Sequence, residues 1–219
     1  MSIPAVGLLT TAYALGMIVG GPVITVVTAR VPRRPLVMAL VVVSVLGNLG
    51  SAAAPNHAVL LATRFVSGLV VATFFAVAVA VATAAAVAAP GAQASSVARV
   101  TLGLNLGLVV GTPIGTVIGQ QLGWRATFVA VAAVTLAAVP LVLRHVPAAP
   151  GTNGSVLAEL RVLSDRDVQL AIALSALGNV GVATVFTYIA PLLTEVSGFA
   201  AGAVPVLLLV YGAGASSGT

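Results

Sequence analysis

The sequence predicts an all-α polytopic membrane protein with about seven transmembrane helices. Two observations carry this reading. Of the 219 residues, 60% are hydrophobic and 6% are charged, whereas a soluble domain holds roughly 45–50% apolar and about 25% charged residues. Nine Arg and four acids, with no Lys, leave uncharged runs at 1–29, 35–63, 65–98, 100–124, 126–143, 168–194 and 196–219. Each run reaches or exceeds the ~18–20 residues that cross a bilayer core. Hydrocarbon tolerates no unpaired backbone groups, so only helices or a closed barrel can span it, and the runs lack the two-residue alternation of barrel strands. A water-soluble globule is excluded.

Charges and Pro/Gly clusters punctuate the spans. The first helix, 4–28, ends at the turn containing Arg30, Pro32, Arg33, Arg34 and Pro35. The second, 36–54, stops before Pro55, and the third, 58–87, stops before Pro90 and Gly91. A fourth, 97–122, meets Gly123, and a fifth, 125–143, meets Arg144. The stretch 144–166 is the one long loop, with a flexible Pro/Gly/Asn run at 147–154 and a short amphipathic piece at 156–163. Ser164 with Asp167 fits an N-cap and an acid at the third helical position, so the sixth helix starts at Asp167 and reaches 193; a plain solvated loop is the other reading. The seventh runs from 203 to 219.

If the loop with Arg30, Arg33 and Arg34 is cytoplasmic, alternation also puts Arg99, Arg144, Arg161 and Arg166 inside. Only Arg125 is then outside and Arg64 within a helix, so seven of nine obey the positive-inside rule. This orientation leaves the N-terminus outside with no preceding helix, and the expectation is a chain incomplete at both ends that does not transport by itself. No positive n-region precedes the first apolar run, which argues against a cleaved signal peptide.

The net charge of +5 does not form a basic face with aromatic neighbours, so nucleic acid is not expected as a partner. The absence of Cys removes disulfides and Cys-based metal or redox sites, and no cofactor or metal is expected. Gly214, Ser216 and Gly218 match GxSxG, but they end an apolar helix and no span supplies a His base, since His57 and His145 fall in expected loops. An enzyme is not expected.

Three features stand out against the apolar background. Gly103, Gly107, Gly111, Gly115, Gly119 and Gly123 recur every four residues through one span, with Pro113 among them. Such spacing admits close helix approach, and the proline permits a bend; generic small-residue packing is the alternative. Arg64 is the sole charged side chain inside a span and away from its first turn, and insertion of such a group costs about 2.5–3.5 kcal/mol at a helix centre. It lies ~9 Å from the outer end of its helix, so snorkelling to the headgroups competes with a functional role. Arg30, Arg33 and Arg34 crowd a rigid turn, where guanidiniums neutralise helix C-termini or pair with acids as well as fixing topology.

The Arg-rich turn, Arg64 followed by Gly68, the segment GLVVGTPIGTVIG and the following GWRATF occur in the order that resembles the major facilitator superfamily. Within it the chain is similar to twelve-helix drug:proton antiporters of the chloramphenicol-resistance and sugar-efflux type. The resemblance spans essentially the whole chain, from the second family helix into the eighth. It implies two six-helix bundles around a cavity, alternating access, and export of small amphipathic molecules against protons across the cell membrane. Residues 1–143 then form an N-terminal bundle lacking its first helix, 144–166 the cytoplasmic loop, and 167–219 the start of a second bundle. A truncated, non-transporting membrane subunit is the alternative.

On this template Arg30, Arg33 and Arg34 match the motif between helices 2 and 3, Arg64 the basic residue of helix 4, and Gly107, Gly111, Pro113 and Gly115 the antiporter motif of helix 5. Together they are the implied coupling and gating residues, and the family arrangement also implies the helix beginning near Ala203 as the neighbour of the Gly stripe. Ala29 stands where the family motif has Asp and Pro32 where it has Gly, and Thr112 separates Gly111 from Pro113. Among the polar and aromatic span residues Tyr13, Asn48, Phe74, Phe75, Asn105, Asn179, Thr184 and Tyr188, the preferred substrate contacts are Asn105 and Asn179, then Phe75 and Tyr188. The acid-free spans locate no proton-carrying carboxylate in this chain.

Overall fold

The computed structural model describes residues 3–85, 92–146 and 164–217. Helix α1 is Ile3–Thr28, α2 Arg33–Ala53, α3 His57–Ala85 and α4 Ala92–Leu122. Then come α5, Trp124–Ala137, α6, Val139–His145, and α7, Arg166–Thr187. One turn α8, Ile189–Pro191, leads through a wide turn at Leu192–Val196 and a tight one at Ala201–Ala203 into α9, Val204–Ser217. Among the described residues six helical stretches are long and apolar enough to cross a membrane, with α5 and α6 together forming one of them, Trp124–His145. The expected seventh span is the shorter apolar helix α9. The amphipathic piece expected at 156–163 lies outside the described residues.

Two departures of the observed helices from the expected ones fall at prolines. The sixth span was expected to continue to 193, but α7 stops at Thr187. Pro191 lacks the N–H that would bond the Thr187 carbonyl, and its ring crowds that carbonyl. Pro140 interrupts the fifth span in the same way, separating α5 from α6 around Ala138. Pro22 and Pro113 are instead carried inside α1 and α4. At the start of α7 the cap is Asp165, one residue beyond the expected Ser164: its carboxylate accepts the Asp167 N–H at 2.9 Å. His57 and His145, read as loop residues, are the first residue of α3 and the last of α6.

The chain forms two compact units, Met1–Gly151 with Pro205–Thr219, and Thr152–Val204. In the first, α3 lies against α1, α2 and α4, while α5 lies against α2 and α4. An apolar core joins Leu36, Val37, Leu40 and Val41 of α2 to Val70 and Val77 of α3 and Val142 of α6. The α1–α3 contact depends on missing side chains. A Cβ at Gly16 would meet the Phe65 carbonyl oxygen, one at Gly20 the Leu69 backbone, and one at Gly68 the Tyr13 carbonyl oxygen. Only glycine lets the two backbones come this close. Among its described residues the second unit consists of α7, the Pro191 break and the turns that follow it.

Candidate functional site

Arg64 lies two turns into α3, ~10 Å along the axis from His57. Its guanidinium does not extend toward the helix end. It turns sideways to α2, where Nη2 donates to Ser51 Oγ at 2.8 Å and Asn48 Oδ1 at 3.2 Å, and Nε donates to Ser51 Oγ at 3.2 Å. Within α3, Nη2 also donates to Ser67 Oγ at 3.1 Å. The Phe128 ring of α5 covers the guanidinium, with its centroid 4.4 Å from Cζ. Asn48, Ser51 and Ser67 are buried, and each bond partner is neutral.

The partners are themselves fixed. Ser51 donates to the Gly47 carbonyl at 2.8 Å, Asn48 to the Ser44 carbonyl at 2.8 Å, and Ser67 to the Thr63 carbonyl at 2.8 Å. Thr63 and Ser51 are joined across the helices at 2.9 Å. Two small residues of α2 make room: a Cβ at Gly47 would meet Ser67 Oγ at 2.9 Å, and one at Gly50 would meet Thr63 Cγ2 at 3.2 Å. Among the described residues Arg64 bonds through Nε and Nη2 only, so the two Nη1 hydrogens remain uncommitted. The result is a half-buried cation held by neutral acceptors along its Nε and Nη2 edge and covered by an aromatic ring.

The other expected residues are placed as follows. Arg34 donates from Nη2 to the Leu143 carbonyl at 2.8 Å, in the last turn of α6. It thus satisfies a carbonyl with no partner inside its helix, at the negative end of the helix dipole. Arg33 is half-buried and Arg30 exposed in the same turn. Gly103, Gly107 and Gly111 would meet nothing within 4 Å among the described residues if they carried a Cβ. The expected close contact along the whole Gly stripe is therefore not formed within the first unit. Gly115 and Gly119 face Thr127 of α5, at 3.6 and 3.3 Å from a built Cβ.

Helix α9, the expected neighbour, does touch α4, but a Cβ at Gly212 would meet Val109 at 2.9 Å. Val109 is two residues from both Gly107 and Gly111, ~160–200° round the helix from them. Pro113 stays within α4. Asn105 is exposed, and Phe75 is 38% exposed. Asn179 is exposed and donates to the Ser175 carbonyl of its own helix at 2.8 Å, while Tyr188 closes α7. These four lie in two different units.

Sequence reasoning named Arg64 but missed Ser51, Thr63, Ser67, Phe128 and the glycines that admit them. The run Gly47, Asn48, Gly50, Ser51, small and polar within an apolar span, is the signal that marks the receiving face.

Comparison with known proteins bears on the whole chain. A family model described as the Major Facilitator Superfamily matches residues 1–219. The chain belongs to this superfamily. It is similar to the uncharacterized MFS-type transporter YfhI of Bacillus subtilis, 32% identical over the full chain and 55% of that protein. It is 35% identical to a chloramphenicol resistance protein of Streptomyces lividans and 34% identical to the inner membrane transport protein YdhP of Escherichia coli. Both matches cover the full chain and 56% of the relative. The chain spans about half the length of the curated relatives it matches. As a Major Facilitator Superfamily chain with, among the described residues, six helical stretches long and apolar enough to cross a membrane, it is a multi-pass membrane protein whose family transports small molecules.

Proposed function

We propose that the chain works in efflux of small amphipathic compounds by proton antiport and alternating access in the cell membrane, with Arg64 as a coupling residue. The observation that carries this reading is the Arg64 guanidinium, held inside a span by neutral groups with Nη1 uncommitted among the described residues. A fixed cation of this kind holds an approaching carboxylate ionised, because opposite charges favour the charged acid. Loss of that approach lets the acid take up a proton, and substrate release becomes tied to proton entry. The chloramphenicol resistance named for the Streptomyces relative and the inner membrane named for the Escherichia coli one support the choice of substrate class and membrane.

In this reading residues 1–143 belong to one helical bundle, 144–166 to a cytoplasmic connection and 167–219 to the other. Arg30, Arg33 and Arg34 act at the cytoplasmic gate, where the bond from Arg34 to α6 supports a role in holding helix ends. Gly107, Gly111, Pro113 and Gly115 provide the face on which the bundles close, and the open space at Gly107 and Gly111 is compatible with a contact made in only one state. Asn105, Asn179, Phe75 and Tyr188 are the proposed substrate contacts.

The test is substitution of Arg64 in the transporter expressed from its own gene. Lys keeps the charge but cannot reproduce a planar fork shared among Ser51, Asn48 and Ser67. Efflux is expected to fall by at least about tenfold in Arg64→Lys, in line with ~1.4 kcal/mol or more of lost charge-assisted bonding, with membrane abundance unchanged. Normal efflux by Arg64→Ala would leave Arg64 a packing residue only.

A further inference from the structure

A closed circuit of contacts links Arg64 to the turn between α4 and α5. Gly123 makes that turn at φ +85°, a conformation that L side chains rarely adopt, and it delivers Trp124 and Arg125 to the first turn of α5. Arg125 reaches across to the end of α2, where Nε donates to the Ala52 carbonyl and Nη2 to the Ala54 carbonyl, each at 3.0 Å. Ser51, the residue before Ala52, receives two N–H donors from Arg64. Arg64 in turn lies 4.4 Å from the Phe128 centroid. Phe128 meets Trp124 edge-on, with centroids 6.0 Å apart and planes at 84°. The Arg125 guanidinium returns over the Trp124 ring, 4.5 Å from its centroid.

We propose that Arg125 is a positioning residue for Arg64: by clamping the end of α2 onto the start of α5, it fixes Ser51 and Phe128 as the two walls between which the membrane guanidinium is held. The last carbonyls of α2 have no partners within their helix and carry the negative end of its dipole, so a cation is favoured there. A fork that donates from two nitrogens to two carbonyls also sets the axial register of α2 against α5, which a single ammonium does not. Ser51 is one residue from the clamped carbonyl and Phe128 one turn from Arg125, so a slip of either helix moves one wall away from Arg64. The transport consequence rests on the coupling role proposed for Arg64, but the positioning itself does not.

Trp124 is the sole tryptophan of the chain, so its fluorescence reports on the circuit without any transport assay. The chain is reconstituted in phosphatidylethanolamine/phosphatidylglycerol vesicles, and Trp124 is quenched with acrylamide. Arg125→Lys and Arg64→Gln are each expected to raise the quenching constant about twofold or more. Ser51→Ala, which keeps all four circuit rings and cations but removes the acceptor, moves it in the same direction. Arg99→Gln, which removes a guanidinium ~35 Å along α4, leaves it unchanged. A Trp124 signal indifferent to Arg64→Gln and Ser51→Ala, in vesicles where circular dichroism is that of the parent chain, overturns the circuit.

The second arm measures efflux. Arg125→Lys is expected to lower the maximal rate about tenfold with little change in substrate KM, and Arg64→Lys to do the same. The double variant should be no slower than Arg64→Lys alone, because both act through one guanidinium. Losses that multiply would contradict positioning. If Trp124 responds as expected while neither single variant changes efflux, the circuit stands and the coupling role of Arg64 falls.

Discussion

At the scale of single residues, the fate of Arg64 follows from a comparison of magnitudes. Leaving a cation unpaired in a span costs about 2.5–3.5 kcal/mol on insertion scales. Hydrogen bonds to a charged group are worth roughly 1.5–3 kcal/mol each and a desolvated cation–π contact about 2 kcal/mol, although such terms do not simply add. Bonds to Ser51, Asn48 and Ser67 with the Phe128 ring therefore outweigh the insertion cost, and the side chain stays in the helix bundle instead of snorkelling. Ser51→Ala removes the acceptor shared by Nε and Nη2. We expect it to destabilise the folded chain in detergent by about 1–3 kcal/mol, seen as a lower thermal midpoint, and an unchanged midpoint would mean that water or lipid replaces the bond at no cost. Arg64 was legible in the sequence because an ionisable residue in an uncharged run is conspicuous. Its partners were not, because Ser51 and Ser67 also bond carbonyls of their own helices, and only the pairing of α2 with α3 decides which hydroxyls also meet a guanidinium.

At the scale of helices, composition and charge spacing were enough to find each described span, with the start of α4 missed by five residues and the end of α7 by six. Boundaries failed where one proline decided them: Pro191 ends α7 at Thr187, whereas Pro113 is absorbed within α4. Pro113 is buried, whereas the described side chains of α7 are largely exposed, a context that a linear pattern does not contain. Glycine packing was legible only in kind. The conspicuous six-residue stripe in α4 is open at Gly103, Gly107 and Gly111, while the less regular Gly16, Gly20 and Gly68 make the backbone contact of α1 with α3. We therefore expect Gly68→Ala to destabilise by about 1–3 kcal/mol, since a Cβ there collides with the Tyr13 carbonyl. Gly107→Ala should leave the melting midpoint unchanged or slightly raised, because Ala is the better helix former. The reverse order of the two midpoints would contradict the α1–α3 packing.

At the scale of the whole molecule, the orientation and the transport cycle are the claims to be tested. Seven of nine Arg fall on one side if the turn at Arg30, Arg33 and Arg34 is cytoplasmic. The chain has no Cys, so Ala29→Cys creates a single thiol; it should resist an impermeant maleimide added to intact cells and react once the membrane is opened. Labelling from outside would invert the topology. The family was legible because its motifs are local runs such as GWRATF, whereas the proposed substrate contacts Asn105, Phe75, Asn179 and Tyr188 were singled out only as polar or aromatic residues in apolar spans, a pattern that does not say which side chains share a cavity. The central claim is that substrate movement is tied to protons through the held guanidinium. Uptake of chloramphenicol into inverted membrane vesicles containing the transporter, with an imposed acid-inside gradient, tests it most directly. The account expects saturable uptake that an uncoupler abolishes and that Arg64→Lys reduces about tenfold, and gradient-dependent uptake at the parental rate in Arg64→Lys would contradict it.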